Sequence, residues 1–159
     1  MQLKEILQNK GREVQTIAAS ASCDDVVSTL VRFNIGSLLV HESPGGPIVG
    51  VVTERDILRA LAERRSTLDQ LRVAAVMTTN LIVAQAENDI LEAMRLMTTH
   101  RIRHLPVMDG QQLFGIVSIG DIVKAQHDRL EMENHQMLSY IQGGASAAAM
   151  PLVSGGAEI

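Results

Sequence analysis

Aromatic side chains are scarce: the 159 residues include no Trp, one Tyr and two Phe. With 46% of residues apolar, the core must therefore be built from Val, Ile, Leu, Ala and Met. A single cysteine, Cys23, excludes an internal disulfide framework. Fourteen Lys and Arg against eighteen Asp and Glu leave a net charge of -4, so no basic field draws the chain to nucleic acid or to an anionic membrane. No apolar run approaches the roughly 18 residues of a membrane-crossing helix. The start, Met1-Gln2-Leu3-Lys4-Glu5-Ile6, lacks the apolar stretch of a signal peptide. A soluble cytoplasmic protein is expected. No Walker loop, Gly-x-Gly-x-x-Gly, zinc motif or Ser/His/Asp or Cys/His constellation appears, so no catalysis of its own is expected.

Against these absences stands a duplication. Gly50-Val51-Val52-Thr53-Glu54-Arg55-Asp56-Ile57 returns as Gly115-Ile116-Val117-Ser118-Ile119-Gly120-Asp121-Ile122. In both copies an apolar strand runs into a hydroxyl residue, and an Asp follows three positions later where a helix should begin. The match extends upstream: residues 22–30 align with 89–97, and 35–40 with 102–107, in one register. That register shifts only at the loop 41–47, which is longer than its partner 108–112. A repeat of this period fixes the architecture before any single residue is interpreted.

Within each copy the local signals agree. Leu3, Ile6 and Leu7 share a helical face, and Gly11 is a fitting stop. Residues 14–18 read as a short strand. Ser22 opens a helix as N-cap with Asp25 three residues on, and Asp89 with Glu92 repeats the pattern. Cys23, Val26, Val27 and Leu30 form one apolar face; Ile90, Ala93, Met94 and Met97 form its counterpart. Residues 37–40 and 48–53 read as an antiparallel pair, as do 104–108 and 113–118. A helix over 54–64 carries Ile57, Leu58 and Leu61, and one from 119 carries a stripe through Leu130, Met137, Leu138 and Ile141. The expected plan is a first repeat with the N-terminal helix over 1–65, a polar linker over 66–75 and a second repeat over 76–130. A helical extension over 131–142 and an unstructured tail over 143–159 follow. The fold class is α+β: two β-α-β-β-α repeats, each too small to bury its apolar faces alone, packed sheet to sheet with pseudo-twofold symmetry.

These pieces resemble a tandem pair of CBS domains, the unit named after cystathionine beta-synthase. Gly-x-Val-Thr-x-x-Asp and Arg103-His104-Leu105-Pro106-Val107 carry the resemblance, which covers about residues 1–130. It implies a regulatory Bateman module with an adenosine-containing ligand in clefts between the repeats. AMP leads the expected ligands, with ADP, ATP or NAD behind it and S-adenosylmethionine also in the family's range. By the same resemblance Asp56 and Asp121 accept hydrogen bonds from ribose hydroxyls, and Thr53 and Ser118 lie close to ribose or phosphate. The chemistry agrees: a carboxylate in a helix's first turn is favoured by the dipole and offers two acceptors to a vicinal diol. Phosphate is favoured at the same helix end. The plainer use of each Asp is helix capping, which is compatible with ribose binding.

The copies differ in charge. Arg101, Arg103 and His104 stand where the first copy has Asn34, Gly36 and Ser37, and Arg55 stands where the second has Gly120. The resemblance implies phosphate contacts here, for which the planar fork of Arg is suited. Alternation along a strand should let only some of these side chains face a cleft, and which Asp they serve is open. His127, Glu131 and His135 fall on one helix face, a metal-ligand spacing that reads better as a solvated surface. A homodimer is expected, using the N-terminal helix and the 130–141 stripe, with an unidentified target protein regulated in trans. The rival reading is a structural dimerisation or interaction scaffold without ligand.

Overall fold

The computed structural model describes residues 1–63 and 67–146, and each repeat is built around a three-stranded sheet. In the first, β1 (Thr16–Ala18) pairs in parallel with β2 (Ser37–His41), which pairs antiparallel with β3 (Ile48–Thr53). In the second, β4 (Ala84–Gln85), β5 (His104–Asp109) and β6 (Gln112–Ser118) repeat the order and directions. A parallel pair needs a crossover, and α2 (Cys23–Phe33) and α5 (Ile90–His100) supply it. The β2 residues Ser37, Leu38, Leu39 and Val40 are buried in succession, as a strand covered on both faces must be. The fold is α+β, with two β-α-β-β-α repeats.

Capping fixes where the crossover helices start. The Ser22 Oγ accepts from Asp25 N at 3.1 Å, and Ser22 N donates back to Asp25 Oδ2 at 3.1 Å, the expected capping box. The Ser22 hydroxyl and backbone N–H hold the Asp25 carboxyl below its ordinary pKa. Its stabilising contribution is therefore present at neutral pH and lost as pH falls through that lowered value. Asp89 caps α5 through Leu91 N at 2.9 Å. Glu92 does not close a box there; it accepts from Asn88 Nδ2 at 2.9 Å instead.

The segments that cover the two sheets are exchanged between the repeats. By chain order α1 (Leu3–Lys10) goes with the first repeat, but its hydrogen bonds go to the second. Leu3 N donates to Asn88 O at 3.0 Å, Lys4 N to Ala86 O at 2.9 Å, and Ile90 N to Met1 O at 3.1 Å. Leu3, Ile6 and Leu7 are buried. The connector that follows the first repeat returns the same pattern to that repeat through α4 (Val73–Val76). Here Val73 N donates to Ala21 O and Ala74 N to Ala19 O, both at 2.9 Å, and Cys23 N to Leu71 O at 2.8 Å. The stretch that reads as a polar linker thus sends Leu71 and Val73 into the first core, beside Cys23, Val26 and Leu30.

Two glycines make room for this exchange. A β-carbon on Gly50 would meet Met77 Sδ at 2.8 Å and Thr78 O at 2.9 Å. On Gly115 it would meet Leu7 Cδ2 at 2.9 Å. Beyond Met77, the paired bonds Thr78 N to Val51 O (2.8 Å) and Val51 N to Thr78 O (3.0 Å) tie the second repeat's entry to β3.

α3 (Glu54–Glu63) buries Ile57 and Ala60 but not its whole expected apolar face: Leu58 is 67% and Leu61 49% exposed. The expected helix end at Arg64 lies outside the described residues. The chain divides into two units after Ile119, and α6 (Ile119–Ser146) from its second residue, Gly120, makes up the described part of the second. This helix extends to Ser146, into the stretch expected as a tail; the rest of that tail lies outside the described residues.

Two predictions follow from the exchange. Leu7→Ala should cost about 2–5 kcal/mol, as buried Leu truncations do. Its hydrogen-exchange signature should appear first in β6 and α5 and not in the first repeat, which adjoins α1 in sequence. Gly50→Ala should cost about 1–3 kcal/mol, because the obstruction includes a backbone oxygen that cannot swing away. Gly115→Ala, obstructed by leucine methyls, should cost less, and chemical denaturation of both variants checks the ranking.

Candidate functional site

β3 passes into α3 with no intervening loop, so Thr53 ends the strand and Asp56 sits in the first helical turn. Thr53 N donates to Asp56 Oδ2 at 2.8 Å, Thr53 Oγ1 donates to the same oxygen at 2.9 Å, and Asp56 N reaches Thr53 Oγ1 at 3.4 Å. Thr53 is therefore the cap, and Asp56 closes the box from the third helical position. Only Oδ2 is used. Among the described residues Asp56 Oδ1 accepts no hydrogen bond, so capping leaves one carboxylate oxygen for a ligand.

Side chains from both repeats meet at this helix end. Thr53, Arg55 and Asp56 of the first repeat line a cavity of about 180 Å³ with Arg101, Arg103 and His104 of the second. An adjoining cavity of about 250 Å³, which includes Met97 and Ile119 in its wall, shares Arg101 and Arg103 with it. The second repeat's Arg101, Arg103 and His104 thus line the same cleft as Asp56.

Arg101, Ile102, Arg103 and His104 all border the cleft in succession. β5 begins only at His104, so Arg101 and Arg103 lie before the pleat and are not bound by its alternation. Arg101 is the C-cap of α5 with φ +53°, where α2 has Asn34 with φ +51°. That left-handed conformation costs a residue bearing a β-carbon about 1–2 kcal/mol, and Asn bears it better than Arg. Arg101 thus stands against the local backbone preference. Among the described residues, Arg55, Arg101 and Arg103 make no ion pair with an acidic side chain. Three guanidinium groups around one cleft, without an ion-pair partner among the described residues, are an anion-binding arrangement.

Two contributors escaped the sequence reading. Gly36 registered only as a missing charge opposite Arg103, yet a β-carbon there would lie 3.1 Å from His104 Cε1, so the glycine makes space for the imidazole. Glu54 also lines the cleft, its N–H donating to Gly36 O at 3.2 Å. The matching bond in the second repeat, Ile119 N to Arg103 O at 2.9 Å, bears out the repeat alignment in which Gly36 and Arg103 occupy equivalent junctions.

The other sequence candidates are placed as follows. Ser118 ends β6, and Asp121 stands in the first turn of α6, the same placement along the chain as Thr53 and Asp56. On α6, His127 lies 3.8 Å from Asp128 Oδ1 and 3.9 Å from Glu131 Oε1, all three exposed. His135 is outside this cluster, which has the form of solvated surface pairs. Cys23 is fully buried in the first core.

The family model for the CBS domain matches residues 4–63 and 73–128. A mitochondrial CBS domain-containing protein of Arabidopsis thaliana is 33% identical over 150 residues, covering 89% of this chain and 72% of that protein. A crystal structure of a CBS-domain-containing protein from Agrobacterium tumefaciens is similar with a TM-score of 0.75 at 36% identity, covering 79% of this chain and 99% of that one. A CBS domain protein from Pyrobaculum aerophilum complexed with AMP is similar with a TM-score of 0.67 at 28% identity, covering 76% of this chain and 89% of that one. No helix among the described residues is long and apolar enough to cross a membrane.

Proposed function

The chain belongs to the CBS domain family, and we propose that it is a regulatory module that binds an adenine nucleotide and has no catalysis of its own. The observation that carries this reading is the convergence of Thr53 and Asp56 with three arginines of both repeats, none ion-paired among the described residues, on one cleft. The AMP held by the Pyrobaculum relative supports the ligand class. In this reading Asp56 Oδ1 accepts from the ribose diol, and Thr53 holds the carboxylate in place. Arg55, Arg101, Arg103 and His104 take the phosphate beside the N-terminus of α3. AMP is the leading ligand; ADP, ATP and NAD place further phosphate at the same pole. Ser118 and Asp121 offer the same chemistry for a second, less basic site. The output is a separate target protein, and the compartment we assign is the cytoplasm.

The scaffold reading draws on a different observation. α1 is not available to a partner, because its apolar face is buried within the chain. Leu58 and Leu61 on α3 are exposed instead, as are Leu130, Met137, Leu138 and Ile141 on α6. Surfaces of this kind favour a second copy of the chain, so we propose a homodimer as well. Dimerisation and ligand binding are compatible, and calorimetry separates a sensor from a pure scaffold.

Asp56→Ala should weaken AMP about tenfold or more, since charge-assisted bonds contribute about 1.5–3 kcal/mol each. Arg103→Ala should weaken AMP much more than adenosine, and both substitutions should act on the same binding event. Equal affinity of the parent protein for adenosine and AMP would remove the phosphate pole from this reading. For assembly, light scattering should give the dimer mass at micromolar concentration, with Leu58→Asp moving the protein toward the monomer. A parent protein of monomer mass would remove the dimer.

A further inference from the structure

We infer that Glu54 sets the charge capacity of the Asp56 cleft and restricts it to nucleotides with a single phosphate. This rests on the adenine-nucleotide reading above. Glu54 is the first residue of α3, and the bond from its N–H to Gly36 O at 3.2 Å anchors it beside the segment that enters β2. Its Cδ lies 3.7 Å from the position a Gly36 β-carbon would take, and His104 Cε1 lies 3.1 Å from that same position. The carboxylate therefore stands near the imidazole, in the wall of the cavity that the arginines also line. Among the described residues it takes no side-chain hydrogen bond and no ion pair, so its charge acts on the cleft without a direct arginine partner.

The charges around the cleft then decide which ligand fits. Arg55, Arg101 and Arg103 bring positive charge; Glu54 and Asp56 bring negative charge. Asp56 is engaged by Thr53 and assigned to the ribose, so Glu54 is the acid that a phosphate tail meets. One phosphate dianion satisfies the arginines. A second or third phosphate adds negative charge beside Glu54 with no further arginine lining the cavity to offset it. The second copy has Ile119 at the matching position, so this restriction belongs to the Asp56 cleft alone. An acid in a helix's first turn also interacts favourably with the helix dipole. If that were its whole role, replacing it would change stability and leave the order of ligands untouched.

The test is calorimetry of the full chain with adenosine, AMP and ATP, comparing the parent, Glu54→Gln and Glu42→Gln. Glu42 lies in the exposed β2–β3 loop, away from the cleft, and its replacement makes the same change in net charge. The parent should bind AMP more tightly than ATP. In Glu54→Gln, ATP affinity should rise about tenfold and AMP affinity about threefold, with adenosine unchanged. The gains should shrink at high salt, and Glu42→Gln should match the parent. The inference is overturned if the parent prefers ATP, or if Glu54→Gln leaves the ratio of AMP to ATP affinity as it was. A parent that binds none of the three would overturn the adenine-nucleotide reading itself, and this inference with it. A parent that prefers AMP to adenosine, with an unchanged ratio in Glu54→Gln, would overturn the role of Glu54 alone.

Discussion

Each repeat has a three-stranded sheet with one apolar surface it cannot cover with its own residues, and in both cases the covering segment is the one that precedes the other repeat in the chain. α1 closes the second repeat through Leu3, Ile6 and Leu7, while the connector closes the first through Leu71 and Val73. Neither core is complete until the other repeat's flanking segment is in place. This exchange couples the two halves more firmly than a surface contact would, because separating them exposes both cores to water. It also explains the glycines in the middle of β3 and β6, where Met77 and Leu7 approach too closely for any β-carbon.

The cleft is a consequence of that coupling. The connector that covers the first core runs on through Met77 to Thr78, which bonds Val51 in both directions. The second repeat's entry is thereby held against β3, and Arg101 to His104 come to face the end of that strand. Thr53 and Asp56 do double duty there: one carboxylate oxygen caps α3 while the other remains for a ligand. A site made this way needs no loop of its own. Its precision comes from a strand end, a helix start and a glycine that leaves room for His104.

Much of this was legible in the sequence, and the parts that were not share a cause. The helix caps at Ser22 and Asp89 and the strand pairs were readable because each depends on residues close by in sequence, and the duplication because it repeats those local patterns in one register. The exchange was not readable, since hydrophobic periodicity says which face of a helix is apolar but not which sheet will cover it. For the same reason α1 looked available for a partner, and Leu58 and Leu61 looked like core. Gly36 was misread for a different reason. An absent side chain carries no signal of its own, and its meaning appears only once His104 is seen to fill the space. The link between Arg103 and Asp56 likewise required the fold, because the two stand in different repeats.

That link bears on how a ligand could be sensed. A molecule held by Asp56 at one end and Arg103 at the other spans the two repeats, so its binding energy opposes any motion that would part them. If the ligand were held by one repeat alone, occupancy would leave the relation between the repeats unchanged and nothing would be transmitted. The basic residues therefore do more on the second repeat than they would beside the first repeat's own Asp. For a ligand bound as proposed, their placement across the cleft would make occupancy and inter-repeat geometry a single equilibrium.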